Sequence, residues 1–137
     1  MAGKVMVILD SFSMAGEAVQ YSIELARRMD YSLLVLILLP LDSEELKSAK
    51  DIEKRAQDAL RPHISFARDA GVETEAEVRI GDPSSELMKF LAGARSVHTI
   101  VWGGKSDISR AGRKKAHWLL KIKHMLECPV VIPSTKT

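Results

Sequence analysis

The residues best placed to do chemistry in this chain fall at two points. Asp10-Ser11 closes the apolar run Lys4-Val-Met-Val-Ile-Leu9, and Gly103-Gly104 follows Thr99-Ile-Val-Trp102. A carboxylate at a strand end can either accept hydrogen bonds from a ligand or satisfy local N–H groups in a turn. Glycines at a strand exit let backbone N–H groups approach a phosphate closely. Beyond them stand five basic side chains, Lys105, Arg110, Arg113, Lys114 and Lys115. Over residues 105–123 there are seven basic residues and one acid, a local charge of +6 (7 − 1). Such side chains can hold phosphates by charge-assisted hydrogen bonds, or simply form a solvated face. Both readings stand.

Other chemistry is excluded on spacing or context. His117 and His124 are seven residues apart, roughly 10.5 Å along a helix, too far to meet on one metal ion. His63 and His98 have no acidic or thiolate neighbour in sequence, so no metal site is expected. Cys128, the single cysteine, precedes a proline at a strand start and reads as a small buried hydrophobe. A phosphorylated receiver aspartate at Asp10 would need an acidic cluster beside it and a basic partner on the last strand, and Val130-Val-Ile-Pro133 offers none. No Ser-His-Asp arrangement or carboxylate pair stands in a recognisable context, so no catalytic residue is assigned. Trp102 and Trp118 read as core or interface residues. With 5% aromatics the chain lacks the makings of a base-stacking platform, which argues against nucleic acid.

The elements that position these residues alternate between two periods. Lys4–Leu9 and Leu33–Leu39 are continuously apolar, as strands buried on both faces are. Val72–Ile80 alternates apolar and charged residues, which suits an edge strand. Thr99–Trp102 and Val130–Ile132 complete five strands. Between them lie helical patterns: Ala15, Ala18, Ser22, Leu25, Ala26 and Met29; then Leu46, Ala49, Ile52, Ala56, Ala59, His63 and Ala67, with a kink or break expected near Arg61 before Pro62. Gly71 closes that helix as a C-terminal glycine. Gly81-Asp-Pro-Ser-Ser-Glu86 starts the next, with Asp82 as cap, Pro83 at the first position and Glu86 in the first turn. Leu87, Met88, Leu91 and Ala92 form its buried stripe. The last helix is expected over roughly Lys114–Leu126. The order β-α-β-α-β-α-β-α-β predicts an α/β fold, a doubly wound five-stranded parallel sheet with helices on both faces. The pattern leaves two strand orders open, one of them flavodoxin-like. In either, ligands bind beyond the carboxyl ends of the strands where the order reverses.

The chain has 137 residues, read as one domain over 1–137, with 46% hydrophobic and 28% charged residues. The longest apolar run, Leu33–Leu41, is far short of the roughly 20 residues of a membrane span. The N-terminus does not read as a signal peptide, and the lone cysteine suits a reducing compartment. A cytoplasmic protein without membrane insertion is expected. The net charge of +2 is too weak to imply nucleic acid.

Four stretches resemble the universal stress protein family, and together they cover nearly the whole chain. These are "VMVILDS" with the Ala-rich helix after it, "DAGVETEAEVRIGDPSSELMKFLA" with its Gly-x-Pro turn, "TIVWGG", and "ECPVVI". The resemblance implies the adenine-nucleotide alpha-hydrolase-like sheet, in strand order 3-2-1-4-5. Asp10 and Gly103 would then flank one crevice, where Asp10 would accept hydrogen bonds from adenine or ribose. Nucleotide-binding members carry Gly, two residues, Gly, nine residues, then Gly and Ser or Thr. Counting back from Cys128, Gly103 matches the first glycine, while Ser106, Ala116 and His117 stand at the other three positions. A Cβ at Ser106 and Ala116 narrows the approach to a phosphate. The His117 imidazole fills space at the start of the last helix, where an anion would dock.

The resemblance therefore implies a non-enzymatic binding or signalling protein in stress response, with a weak or absent ATP site built on Asp10, Ser11, Gly103, Gly104, Lys105, Ser106, Ala116 and His117. One alternative is an ATP-binding member with slow hydrolysis, in which Lys105, Arg110, Arg113, Lys114 and Lys115 replace the glycines. Another is an interaction module that uses residues 105–123 to hold an acidic partner. Family members commonly dimerise through the last strand, so a homodimer through Val130–Ile132 is expected, with protein partners beyond it.

Overall fold

The computed structural model describes residues 3–12, 16–42, 51–93, 96–104 and 118–133. The two continuous apolar runs become the central strands. β1 (Lys4–Leu9) and β2 (Ser32–Leu39) pair in parallel from Lys4–Ser32 to Leu9–Ile37. β3 (Thr74–Ile80) lies outside β2, β4 (Val97–Trp102) lies on the other side of β1, and β5 (Val130–Val131) lies outside β4. Every pairing is parallel, and the order is 3-2-1-4-5, as expected. The order reverses between β1 and β4, so the chain leaves these neighbouring strands toward opposite sides and opens a crevice at their carboxyl ends.

The two-residue alternation of a strand sorts the core into two layers. Val5, Val7, Leu9, Leu33, Val35, Ile37, Leu39 and Val101 pack against α1 (Gly16–Met29) and α2 (Ile52–Asp69). Met6, Ile8, Leu34, Leu36, Leu38, Ile100 and Trp102 pack against α3 (Pro83–Gly93) and α4 (Trp118–Ile122). That is why β1 and β2 carry no polar residue between Val5 and Leu9 or between Leu33 and Leu39: both faces are covered. Each fully buried Leu or Ile contributes about 1.5–3 kcal/mol.

Helix ends follow their local chemistry. Asp82 accepts from the Ser85 N–H at 3.0 Å and from the Ser84 hydroxyl at 2.8 Å, ahead of Pro83. These bonds hold its carboxyl below the usual range. At the end of α2, Gly71 has φ +81°, its N–H donates to the Arg68 carbonyl, and Val72 N–H donates to the Ala67 carbonyl. This is a Schellman closure, with buried Val72 and Ala67 supplying its apolar contact. The end of α1 has the same wiring, with Asp30 at φ +59° in the glycine position.

Several expected boundaries are corrected. α2 begins at Ile52, because Asp51 has extended backbone (φ −129°, ψ 95°) and caps it by accepting from the Lys54 N–H. Leu46 and Ala49 lie outside the described residues. Pro62 does not break α2, which runs through it. Pro62 and Asp58 are both exposed, so the Asp58 carbonyl that loses its N–H partner lies on the solvent side. Leu60 and Ile64 join the buried side of α2. In α3 it is Phe90 rather than Ala92 that packs inward, and Ala92 is exposed. The described part of the last helix is Trp118–Ile122, followed by a 3-10 turn at Lys123–Met125. β5 is two residues long, and Ile132 lies beyond it, 40% exposed.

Candidate functional site

The crevice at the carboxyl ends of β1 and β4 brings together two of the sequence-selected points. Gly103 and Gly104 follow the last residue of β4, and Asp10 and Ser11 follow the last of β1. A Cβ placed on Gly104 would stand 2.8 Å from Asp10 Cγ and 2.7 Å from an indole carbon of Trp102. The carboxyl group and the indole thus converge on the Gly104 backbone. Ser11 is buried, and Asp10 is half-buried. Trp102 is 4% exposed and meets Trp118 edge to face, ring centres 5.9 Å apart. The two tryptophans therefore join the residue before the glycine pair to the first described residue of the last helix. Their place in the α3/α4 layer agrees with a core role rather than a stacking platform.

Gly103 is held differently. It is buried, and its N–H donates to the Ile8 carbonyl at 2.8 Å, which carries the β1–β4 ladder one residue past β4. A Cβ there would lie 2.8 Å from Leu9 Cδ2, 3.0 Å from Ala18 Cβ and 3.2 Å from Val7 Cγ2. Its backbone does not lie in the left-handed region. Packing favours glycine here because α1 presses against the strand exit at Ala18; the N–H, for its part, is engaged by the sheet.

Lys105, Ser106, Arg110, Arg113, Lys114, Lys115, Ala116 and His117 lie outside the described residues. Three side chains near these strand ends, Phe12, Arg55 and His63, were not selected from sequence as site residues. Phe12, two residues after Asp10, is buried, with the Arg55 guanidinium 5.3 Å from its ring centre. His63 of α2 lies 4.0 Å from where a Gly16 Cβ would stand, at the first turn of α1, and burial pushes its pKa below the ordinary 6.5. An apolar residue directly after a polar strand end could have signalled Phe12. Arg55 and His63 owe their positions to the packing of α2, which has no local signature.

Among the described residues no group of three or more His, Cys, Asp or Glu side chains is placed to hold a metal. Cys128 is half-buried against the α3/α4 layer, and burial raises its thiol pKa. No helix among the described residues is long and apolar enough to cross a membrane. Open grooves of about 630 Å³ and 790 Å³ lie elsewhere. The first is at the amino ends of the strands, by Lys4, Ser32 and Thr74, and the second is between α2 and β3. Topology, rather than groove size, argues for the β1/β4 crevice as the ligand position.

An open parallel sheet of order 3-2-1-4-5 between two helix layers defines a doubly wound α/β fold with a crevice at its switch point. Residues 1–118 match the model of the universal stress protein family, and the chain belongs to that family. It is similar in fold to the universal stress protein UspA from Lactobacillus plantarum (TM-score 0.71, 16% identity, covering 96% of this chain and 97% of that one). It is also similar to the universal stress protein from Archaeoglobus fulgidus in complex with dAMP (TM-score 0.63, 16% identity, 96% and 97%). A third similar structure is a universal stress protein family protein from Arabidopsis thaliana with AMP bound (TM-score 0.63, 19% identity, 98% and 93%). At these identities the likeness is one of fold. No curated protein matches the chain in sequence.

Proposed function

We propose that this chain is a non-enzymatic binding and signalling protein of the universal stress type, with an adenine-nucleotide site that binds weakly or not at all. One observation carries the reading. Gly103, the only residue of the four-position phosphate motif that survives, has a packing reason to be glycine. Leu9 and Ala18 crowd the place where a Cβ would stand, and its N–H is bonded to the Ile8 carbonyl. Its survival therefore gives no support to a retained phosphate loop. The other three positions are Ser106, Ala116 and His117. Asp10 and Ser11 stand at the β1/β4 switch point, where ligands of such sheets bind, and similar structures carry dAMP and AMP, which supports an adenine nucleotide as the class of ligand.

The second reading is an ATP-binding member in which Lys105, Arg110, Arg113, Lys114 and Lys115 supply charge in place of glycine N–H groups. Asp10 beside Gly104 favours it, because a carboxylate at this strand end can accept hydrogen bonds from an adenine or ribose. A third reading uses the +6 segment to hold an acidic partner. The test is to denature purified protein, assay the supernatant for nucleotide, and then titrate fresh protein with ATP and Mg²⁺. Absence of nucleotide and weak or no binding is the expected result. Co-purified ATP, or micromolar binding that Asp10→Ala abolishes, would overturn it in favour of the second reading. Strongly salt-dependent binding to a polyanion would favour the third. A homodimer through Val130–Ile132 remains part of the proposal. Val130 and Val131 pair with β4 on one side, no second strand neighbour stands among the described residues, and Ile132, just beyond β5, is exposed.

A further inference from the structure

The opposite edge of the sheet offers a longer template. β3 runs seven residues, Thr74–Ile80, in unbroken register with β2. Among the described residues β2 is its only neighbour. The ladder fixes which of its backbone groups point outward. The Leu33 N–H donates to the Glu73 carbonyl, and the Gly81 N–H donates to the Leu39 carbonyl. In a parallel ladder one residue directs both its N–H and its C=O to the same neighbour, and alternate residues direct theirs the other way. Residues 73, 75, 77, 79 and 81 therefore face β2. Thr74, Ala76, Val78 and Ile80 direct their N–H and C=O groups away from the sheet. This edge has no bulge and no proline, two of the usual devices that block pairing.

The side chains select a partner. Glu77 and Arg79 lie on one face of β3, joined at 2.7 Å, and Arg79 also reaches Glu86 at 3.6 Å. In an antiparallel pairing of two copies centred on Val78, Val78 faces Val78 and Ala76 faces Ile80. All of these residues direct hydrogen-bonding groups outward. That register places Glu77 of each copy opposite Arg79 of the other, and it covers Ile80, which is 42% exposed. The neighbouring hydrogen-bonding register, centred on Glu77, keeps two opposite-charge pairs, Glu75 against Arg79, but sets Glu77 against Glu77, and the one centred on Arg79 sets Arg79 against Arg79; only the Val78 register has opposite-charge pairs and no like pair. We propose that the β3 edge binds a second copy of this chain, forming an isologous antiparallel pair about Val78 in which Glu77 and Arg79 fix the register. The surface is independent of the nucleotide crevice and of the β5 edge.

The test is sedimentation of the full chain and of Glu77→Arg and Arg79→Glu variants. Each single variant sets like charges against each other across the two-fold axis and weakens this contact roughly tenfold or more. Mixed one to one, the two variants restore both opposite-charge pairs. The mixture is therefore expected to sediment one association step above either variant alone, more strongly at low salt. Ala76→Pro is the second probe. It removes an outward N–H, so the bonds to β2 stay intact, and it should abolish the contact in every charge background. A mixture that sediments like the separate variants, or an Ala76→Pro chain that associates like the parent, overturns the proposal. So does capture of an unrelated extended peptide at this edge without self-association.

Discussion

Gly103 and Gly71 are two glycines with different demands. Gly71 has φ +81° and open space where its Cβ would stand. Its position asks only for a backbone conformation that L side chains resist. Gly103 has ordinary backbone but no room, with Leu9, Ala18 and Val7 all within 3.2 Å of a notional Cβ. The difference teaches how to read a motif glycine. One retained at a phosphate-loop position testifies to a ligand only if packing does not already require it, and here packing does. Gly104 is a third case, because its missing side chain leaves room for the Trp102 indole and the Asp10 carboxyl at the crevice.

The largest expected effect falls on Gly103. Gly103→Ala should destabilise the fold by about 1–3 kcal/mol in urea unfolding, as overpacking does. Leu9 Cδ2 can swing aside, but Ala18 Cβ is fixed to α1. Adding Ala18→Gly should therefore recover part of the loss, so that the double variant is less destabilised than the sum of the two singles. Strict additivity would show that the Ala18 contact is not the reason for the glycine. Gly71→Ala should cost about 1 kcal/mol, from the φ penalty alone. If it costs as much as Gly103→Ala, the contrast between the two positions fails. Asp30 is the mirror of Gly71, a side chain in the same left-handed closure at φ +59°. Asp30→Gly should stabilise by up to about 1 kcal/mol, read as a rise in the urea midpoint.

The smallest effect concerns acid. Burial holds the His63 imidazole below its ordinary 6.5, so the unfolded chain binds a proton that the folded chain resists. Stability from this group is complete above 6.5 and declines as pH falls through that value toward the lower folded pKa. His63→Gln should flatten the stability profile in that window. An unchanged slope would remove His63 as its source.

Fold and site differ in how much of each is readable from residues. The continuous apolar runs at Lys4–Leu9 and Leu33–Leu39 require cover on both faces, and that requirement alone implies a parallel sheet between helix layers. Asp82, Pro83 and Gly71 mark helix ends through bonds made within a few residues, so they are visible locally. Pro62 misleads because its cost depends on whether the orphaned carbonyl meets water, which is a tertiary fact. Asp51 shows the same limit, since a cap competes with the helical period that the sequence carries past it. In the crevice, Asp10 and Gly103 are legible as strand ends. The reason for Gly103 lies in Ala18, 85 positions earlier (103 − 18), and no local pattern discloses it. The Arg55–Phe12 and Trp102–Trp118 contacts are equally non-local.

The most direct test of the central claim is calorimetric titration of ATP with Mg²⁺ into the parent chain and into the Ser106→Gly/Ala116→Gly/His117→Ser triple variant. The account predicts weak or no binding by the parent and at least roughly tenfold tighter binding by the triple variant, as backbone N–H groups regain access to the phosphates. Tight binding by the parent, or no gain in the triple variant, would contradict it.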